Sequence, residues 1–225
     1  IGNVLTRREE VYHEQIQQGS AIIGQETGGD LSIHELVKAK EANLDRLLVY
    51  DPWRRVSLRD RFISVNATAE SLWSGTEPEL GPFARIPYAM TGEGGIIRLE
   101  AKGTMKSPGL AGAHLHKTIS LAQREASFEV DYLIEFMAPA HSELLFGTEL
   151  TFNFLTGDAP DRYYQSDSAP IEDNRLGSRG VLEEISHIAA RDEWQHLEIS
   201  FSFSRPARLF RFPVDTVSQS EDGQE

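Results

Sequence analysis

The feature that most constrains the fold of this sequence is the alternation of apolar and polar residues in several short runs. In residues 127–136, Phe128, Val130 and Tyr132 alternate with polar neighbours, and residues 196–203 repeat the pattern. Side chains of a β-strand point alternately to the two faces of a sheet, so such runs predict half-buried strands. Similar alternation predicts further strands at residues 96–100, 114–121, 149–154 and 209–215.

No helix-length segment separates most of these runs, which argues against a parallel sheet with helical crossovers. We therefore predict a mainly β chain, an antiparallel β-sandwich with two N-terminal helices. The predicted organisation is a single β-sandwich domain over residues 1–225, with a helical lead-in over 1–50 and strands over 80–217. We also expect a fragment of a longer protein, and a long surface loop from Ala159 to Gly180, which is rich in Asp, Ser, Pro and Gly.

Capping signals define the two predicted helices. Thr6 followed by Glu9 has capping-box spacing, and the first helix should end near Gly19. Ser32 begins the second helix, which should stop before Pro52. Glu9 and His13 lie four residues apart on the first helix, where we expect a surface or interface pair.

Charge and cysteine content exclude several function classes. The formal net charge of -13 disfavours binding to nucleic acid and to anionic membranes, and it does not disfavour neutral sugars. The absence of cysteine excludes disulfides, thiolate zinc sites and a cysteine nucleophile, and it fits a cytoplasmic protein. No apolar run is long enough for a membrane-spanning helix.

Polar side chains on the outer sheet face form the predicted carbohydrate-facing set. Short hydrogen-bonding groups on a sheet suit sugar hydroxyls, and carboxylate and amide oxygens also suit calcium. The alternative is a wetted sheet face, or one covered by another domain. Tryptophans such as Trp53 and Trp73 can stack on sugars or serve as packing anchors. The predicted set is Trp53, Arg54, Glu129, Asp131, Glu149 and Asn153.

Two histidines lie two residues apart on a predicted strand. His114 and His116 therefore point to the same side, a spacing that strand-borne zinc sites use. A third ligand would have to come from elsewhere, His187 or His196 being options, and the alternative is two solvent-facing histidines. We predict no metal site and no cofactor, with calcium left open. Residues 92–95, Gly-Glu-Gly-Gly, predict a turn.

Three segments resemble a known family. They are Leu5–Glu14 (LTRREEVYHE), Tyr50–Phe62 (YDPWRRVSLRDRF) and Phe212–Gly223 (FPVDTVSQSEDG). In this order they resemble the C-terminal β domain of the 4-α-glucanotransferases and α-amylases of glycoside hydrolase family 57. The resemblance implies a galactose-mutarotase-like sandwich. It also implies that the catalytic carboxylates lie on a separate N-terminal barrel, so no catalytic residue is assigned to this chain.

Three functions follow as hypotheses. The first is a non-catalytic C-terminal domain that packs on the barrel of a retaining α-glucan-acting enzyme and helps shape its glucan groove. The partners would be that barrel and an α-glucan or maltooligosaccharide. The second is a stand-alone carbohydrate-binding module. The third is a mutarotase-type epimerase that uses His114 or His116 with Glu149 as acid and base.

Overall fold

The computed structural model describes residues 6–11, 13, 14, 16, 44–106, 109, 111–138, 143–220 and 223–224. The chain is mainly β with antiparallel strand pairs, which confirms the predicted fold class. Residues 13, 14 and 16 have helical backbone within the first predicted helix. The second predicted helix lies outside the described residues except for residues 44–51, where Leu44–Leu47 forms a 3-10 helix. Residues 48–51 are not helical, so the predicted end of this helix before Pro52 is wrong.

Besides the helical residues 13, 14 and 16 and the 3-10 helix, the described part of the chain contains one short α-helix and eleven strands. The helix, α1, is Ala69–Trp73. The strands are β1 Arg59–Ile63, β2 Ala89–Glu93, β3 Ile96–Thr104, β4 Gly112–Leu121, β5 Phe128–Phe136, β6 Leu145–Glu149, β7 Arg162–Gln165, β8 Gly180–Asp192, β9 Leu197–Arg211, β10 Val217–Ser220 and β11 Gly223–Gln224.

The strands form four antiparallel sheets in two compact units. The first unit, Val56–Ala67 with Glu77–Phe152, contains the sheet β2-β3-β4-β5 and the ribbon β1-β6. The second unit contains α1, the sheet β7-β8-β9 and the ribbon β10-β11. A single domain over residues 1–225 remains a prediction, because two compact units can belong to one domain or to two.

In the first unit, the ribbon β1-β6 and the four-stranded sheet share one hydrophobic core. Phe62 of β1 is fully buried and packs with Phe83 and with Leu115 of β4. Phe146 of β6 lies on the same cluster, with its ring centroid 5.2 Å from that of Phe62. The opposite face of the sheet carries mainly polar side chains, with the exposed Leu133 of β5 as an apolar exception. The turn between β2 and β3 is also as predicted, because Gly94 and Gly95 both adopt positive φ there.

A buried ion pair crosses the same core. Lys117 projects from the inward face of β4, and its Nζ lies 2.5 Å from Oδ2 of Asp60 on β1. Nζ also donates to the carbonyl of Leu58 at 2.8 Å, and the hydroxyl of Tyr88 donates to Asp60 at 2.9 Å. Burial and the neighbouring Asp60 charge raise the pKa of Tyr88 well above its ordinary value, so this donor stays protonated.

In the second unit, β8 and β9 form a long irregular hairpin. Its register shifts on both sides of Ile185, which packs with Leu182 and Ile188 in a second hydrophobic cluster. A buried ion pair joins β7 to β8, with Arg162 Nε 3.0 Å from Asp192 Oδ2. Helix α1 begins after Thr68, whose hydroxyl accepts from the backbone N–H of Ser71 at 3.0 Å.

Several strand boundaries differ from the sequence predictions. The strand predicted at residues 149–154 is wrong, because β6 ends at Glu149 and the following residues are not in a strand. The runs at 196–203 and 209–215 belong to one strand, β9, which ends at Arg211. The predicted loop Ala159–Gly180 contains β7, and β1, β2, β8 and α1 were not predicted.

Candidate functional site

The first two sequence motifs meet at Asp51, which is held between two buried guanidinium groups of the second unit. The side chains of Arg7, Asp51 and Arg55 are 2%, 1% and 4% exposed. Oδ1 of Asp51 accepts from Arg7 Nη2 at 2.7 Å and from Arg55 Nε at 2.9 Å. Oδ2 accepts the backbone N–H of Arg7 at 2.9 Å. We call these three residues the Asp51 cluster.

Electrostatics fix the Asp51 carboxyl in its charged form. Burial by itself would raise the pKa of Asp51, but the hydrogen bonds from Arg7 and Arg55 outweigh it and hold the pKa below its ordinary value. Arg7 also donates to the carbonyl of Trp73 at 2.6 Å, and the Arg55 guanidinium lies 5.5 Å from the ring centroid of Phe212. The third motif therefore reaches the cluster through Phe212.

Trp73 is a packing anchor and not a sugar platform. It is buried, with the Arg7 guanidinium 5.6 Å and the Arg179 guanidinium 3.9 Å from its ring. An indole enclosed by two cations contributes packing and cation–π stabilisation and leaves no open face for a sugar. Trp53 is half-buried, and Arg54 beside it is exposed.

A pocket of about 170 Å³ lies next to the Asp51 cluster and is lined by residues of all three motifs, among them Arg7, His13, Tyr50 and Asp215. His13 is buried, so the surface alternative for its pair with Glu9 is wrong. Its Nε2 lies 3.3 Å from the carbonyl of Val217, its Nδ1 accepts the backbone N–H of Glu10 at 3.1 Å, and its ring stacks on Tyr50. These contacts tie the N-terminal segment to the third motif.

Asp215 contributes to this pocket a carboxyl group whose pKa is raised above its ordinary value. Burial raises its pKa, and the nearby Arg7 and Arg179 only partly counteract that effect. A raised carboxyl pKa can serve acid catalysis, but it equally follows from packing beside other groups. With a volume below that of ordinary ligand pockets, the pocket fits a structural role.

The residues of the predicted carbohydrate-facing set are divided between the two units. Glu129 and Asp131 are exposed on the outer face of β5, opposite Ser120 and Thr118 of β4. Glu149 belongs to the separate ribbon β1-β6. The remaining three, Trp53, Arg54 and the exposed Asn153, belong to the second unit.

Glu149 is part of a charged network with Arg61 and Glu79. Arg61 forms an ion pair with Glu79, and its Nη1 lies 3.9 Å from Glu149 Oε2. Burial raises the pKa of Glu79, Arg61 lowers it, and the Glu149 charge adds a smaller upward contribution. Glu79 and Glu149 both contact Arg61 and form an ion-pair network with it. Because its pKa is raised, Glu79 is the residue of this network to test as a general acid.

His114 and His116 lie on the outer face of β4, and the structure places Glu100 beside them. One ligand atom from each of these three residues lies within 4.8 Å of the other two. The sequence suggested His187 or His196 as a third ligand, but both belong to the second unit. Glu100 of β3 lies opposite His116 because of the register between the two strands, and this register cannot be read from the sequence.

One exposed aromatic residue escaped the sequence analysis. Trp194 lies between β8 and β9 and is 67% exposed, with the Arg162 guanidinium 5.7 Å from its ring centroid. Trp194 stands alone among the polar residues Glu193, Gln195 and His196, and an isolated tryptophan in a polar segment is the signal that could have identified it as exposed. An indole that is two-thirds exposed is suited to stacking on a sugar ring.

Comparison with known proteins identifies related sequences along the whole chain. The family model described as Alpha-amylase/4-alpha-glucanotransferase, C-terminal, matches residues 1–225. Alpha-amylase 1 of Dictyoglomus thermophilum is 31% identical over 234 residues, covering 100% of this chain and 31% of that protein. The 4-alpha-glucanotransferase of Thermococcus kodakarensis is 30% identical, covering 98% of this chain and 29% of that protein. The chain therefore spans less than a third of the length of these curated relatives.

A solved structure supports the fold. The crystal structure of 4-alpha-glucanotransferase from Thermococcus litoralis matches with a TM-score of 0.67 and 22% identity, over 99% of this chain and 28% of that chain. Among the described residues, no helix has the length and apolar character to cross a bilayer.

Proposed function

Because the chain belongs to the Alpha-amylase/4-alpha-glucanotransferase C-terminal family, we propose that it is the non-catalytic C-terminal domain of an α-glucan-acting enzyme of glycoside hydrolase family 57. The observation that carries this proposal is the match of the C-terminal family model to all 225 residues, while the chain covers only 29–31% of two relatives. The unmatched part of such an enzyme would contain the catalytic barrel and its carboxylates.

The chemistry of the buried carboxylates supports a non-catalytic role. Retaining cleavage needs two carboxyl groups about 5–5.5 Å apart on either side of the scissile bond. Asp51, Asp60 and Asp192 are instead engaged by buried arginine or lysine side chains. A carboxylate neutralised by a buried cation is a poor nucleophile, so these groups serve stability.

The proposed role is to pack on the catalytic barrel and to help shape its glucan groove. An apolar patch in the first unit supports such packing. Leu121 and Phe128 face each other across the end of β4 and β5 and are 52% and 54% exposed. The barrel is the proposed occupant, because the relatives extend far beyond the matched region. A cytoplasmic location is proposed from the cysteine-free sequence, and the acidic charge argues against nucleic acid or anionic membranes as partners.

The test of the non-catalytic role is incubation of the purified chain with maltoheptaose, with products separated by anion-exchange chromatography. The 4-alpha-glucanotransferase of Thermococcus litoralis serves as the positive control. We expect no new oligosaccharides from this chain. Turnover by the chain that disappears in Glu79→Gln or Glu149→Gln would overturn the proposal, because the activity would then belong to this domain.

Glucan binding is a second proposed function, and the exposure of Trp194 supports it. Stacking of a sugar ring on an exposed aromatic side chain contributes to binding without requiring a deep pocket. Calorimetric titration with maltoheptaose should give saturable heat that Trp194→Ala removes. Phe128→Ala is the matched control, because it removes an exposed aromatic side chain from the other unit. Equal loss in both variants, or no heat in the unsubstituted chain, would contradict a binding role for Trp194.

A further inference from the structure

The outer face of the four-stranded sheet carries a cluster of two histidines and two glutamates on three adjacent strands. In the register of β3 and β4, Glu100 lies opposite His116. In the register of β4 and β5, Glu135 lies opposite His114. Residues two apart on a strand share a face, so the strand pairing holds all four side chains together without any loop. We call Glu100, His114, His116 and Glu135 the histidine–glutamate cluster.

The spacing of the ligand atoms in this cluster resembles that of a metal site. Zinc–nitrogen and zinc–oxygen bonds of about 2.0–2.1 Å in a tetrahedron place neighbouring ligand atoms roughly 3.4 Å apart. His114 Nε2 lies 3.4 Å from Glu100 Oε2, and one ligand atom from each of Glu100, His114 and His116 lies within 4.8 Å of the other two. Glu135 contacts both rings, with its Oε2 3.0 Å from His116 Nε2. His114 Nδ1 faces Glu135 Oε2 at 3.7 Å.

The two histidine rings lie close enough together to bind one ion. Their imidazole centroids are 3.8 Å apart, and the strand register places Glu100 and Glu135 on the strands at either side of them. A neutral imidazole nitrogen has the lone pair that binds a metal.

We propose that Glu100, His114 and His116 bind a divalent transition metal of the zinc type, and that Glu135 orients the histidine rings. Two imidazole nitrogens and one carboxylate leave a fourth position open to water. Imidazole ligands favour zinc, copper or nickel over calcium, which prefers oxygen ligands alone. A carboxylate on the far nitrogen of a metal-bound histidine fixes the ring, which is the position of Glu135 beside His114 Nδ1. The metal would join β3 to β4 on their solvent side.

The test is calorimetric titration of the whole chain with zinc chloride in a buffer that does not chelate zinc. The chain contains no cysteine, so thiolates cannot supply the signal. We expect one ion per chain, binding at least tenfold weaker in Glu100→Gln, His114→Ala and His116→Ala, and about tenfold weaker in Glu135→Gln. His187→Ala is the matched control, because His187 is also on a strand and lies 3.9 Å from a carboxylate oxygen of Asp167. Its zinc affinity should equal that of the unsubstituted chain.

Two further measurements keep the result interpretable. Far-ultraviolet circular dichroism shows whether each variant is folded, and Glu100→Gln changes only the charge of a side chain that is 56% exposed. Visible absorption of bound cobalt(II) reports nitrogen and oxygen ligation directly. Absence of saturable zinc binding, unchanged affinity in a folded His114→Ala/His116→Ala variant, or equal displacement of zinc by calcium would each overturn the proposal.

Discussion

Replacing Asp51 by asparagine removes a negative charge that is enclosed by two buried guanidinium groups. Oδ1 of Asp51 accepts from both Arg7 and Arg55, and Oδ2 accepts the backbone N–H of Arg7. The asparagine amide can keep the Oδ1 contacts, but its NH2 group would then face the Arg7 backbone donor. The substitution therefore costs one hydrogen bond and removes the negative charge that both buried guanidinium groups contact.

The expected loss in the free energy of unfolding is about 3–5 kcal/mol, the usual cost of removing one partner from a buried ion pair. The side chains of Arg7, Asp51 and Arg55 are at most 4% exposed, so water cannot replace the lost charge without local opening. Such a loss is a large fraction of the stability of an ordinary domain.

Urea unfolding followed by circular dichroism measures this effect. The matched control is Glu183→Gln, the same acid-to-amide change in the exposed pair with Arg208 of the same unit, where a change of no more than about 1 kcal/mol is expected. Because the pKa of Asp51 is below its ordinary 3.8, its contribution is complete above that pH and is lost as the pH falls through the folded-state pKa. The difference between Asp51→Asn and the unsubstituted chain should therefore be constant at neutral pH and shrink below about pH 3.8. Equal stability of Asp51→Asn and Glu183→Gln at pH 7 would refute this reasoning.

Three further substitutions test the energetics of the two units by the same unfolding assay. Lys117→Met leaves Asp60 buried without its cation and should cost about 3–5 kcal/mol, and a fully stable variant would show that the pair contributes nothing. Phe62→Ala removes a fully buried ring from the first core and should also cost about 3–5 kcal/mol, whereas a loss below 1 kcal/mol would mean that the core collapses around the gap. Thr68→Ala removes the cap of α1 and should cost about 1 kcal/mol, with Thr68→Ser restoring most of it; failure of serine to restore stability would contradict the capping role.

Regular strands were predictable from the sequence, and irregular ones were not. β4 and β5 pair without interruption over nine residue pairs, so successive side chains keep pointing alternately to the two faces along both strands. β8 contains two register shifts and a positive φ at Glu184, and each extra residue reverses the face of those that follow. β9 passes through Pro206 near the same irregularity, where a residue without an N–H is tolerated, so the proline did not end the strand as a turn signal would.

Candidate sites were harder to predict than strands, because they depend on pairing between strands and between distant segments. His114 and His116 were identified by their spacing, but Glu100 became their neighbour only through the register of β3 with β4. Arg7 and Asp51 are 44 residues apart, and no local pattern connects them. His13 appeared to be a surface residue because the sequence does not show that Tyr50 and Val217 cover it.

The position of the three motifs bears on what the family resemblance means. Their conspicuous residues, Arg7, Asp51, Arg55 and Phe212, are joined to one another in the second unit by an ion-pair and cation–π network. Residues engaged in this way hold segments of the chain together, so these four residues support the architecture of the domain. Their contacts do not bear on glucan binding. Trp194 lies outside the motifs and is 67% exposed, so its substitution tests the proposed glucan contact without removing any member of this network.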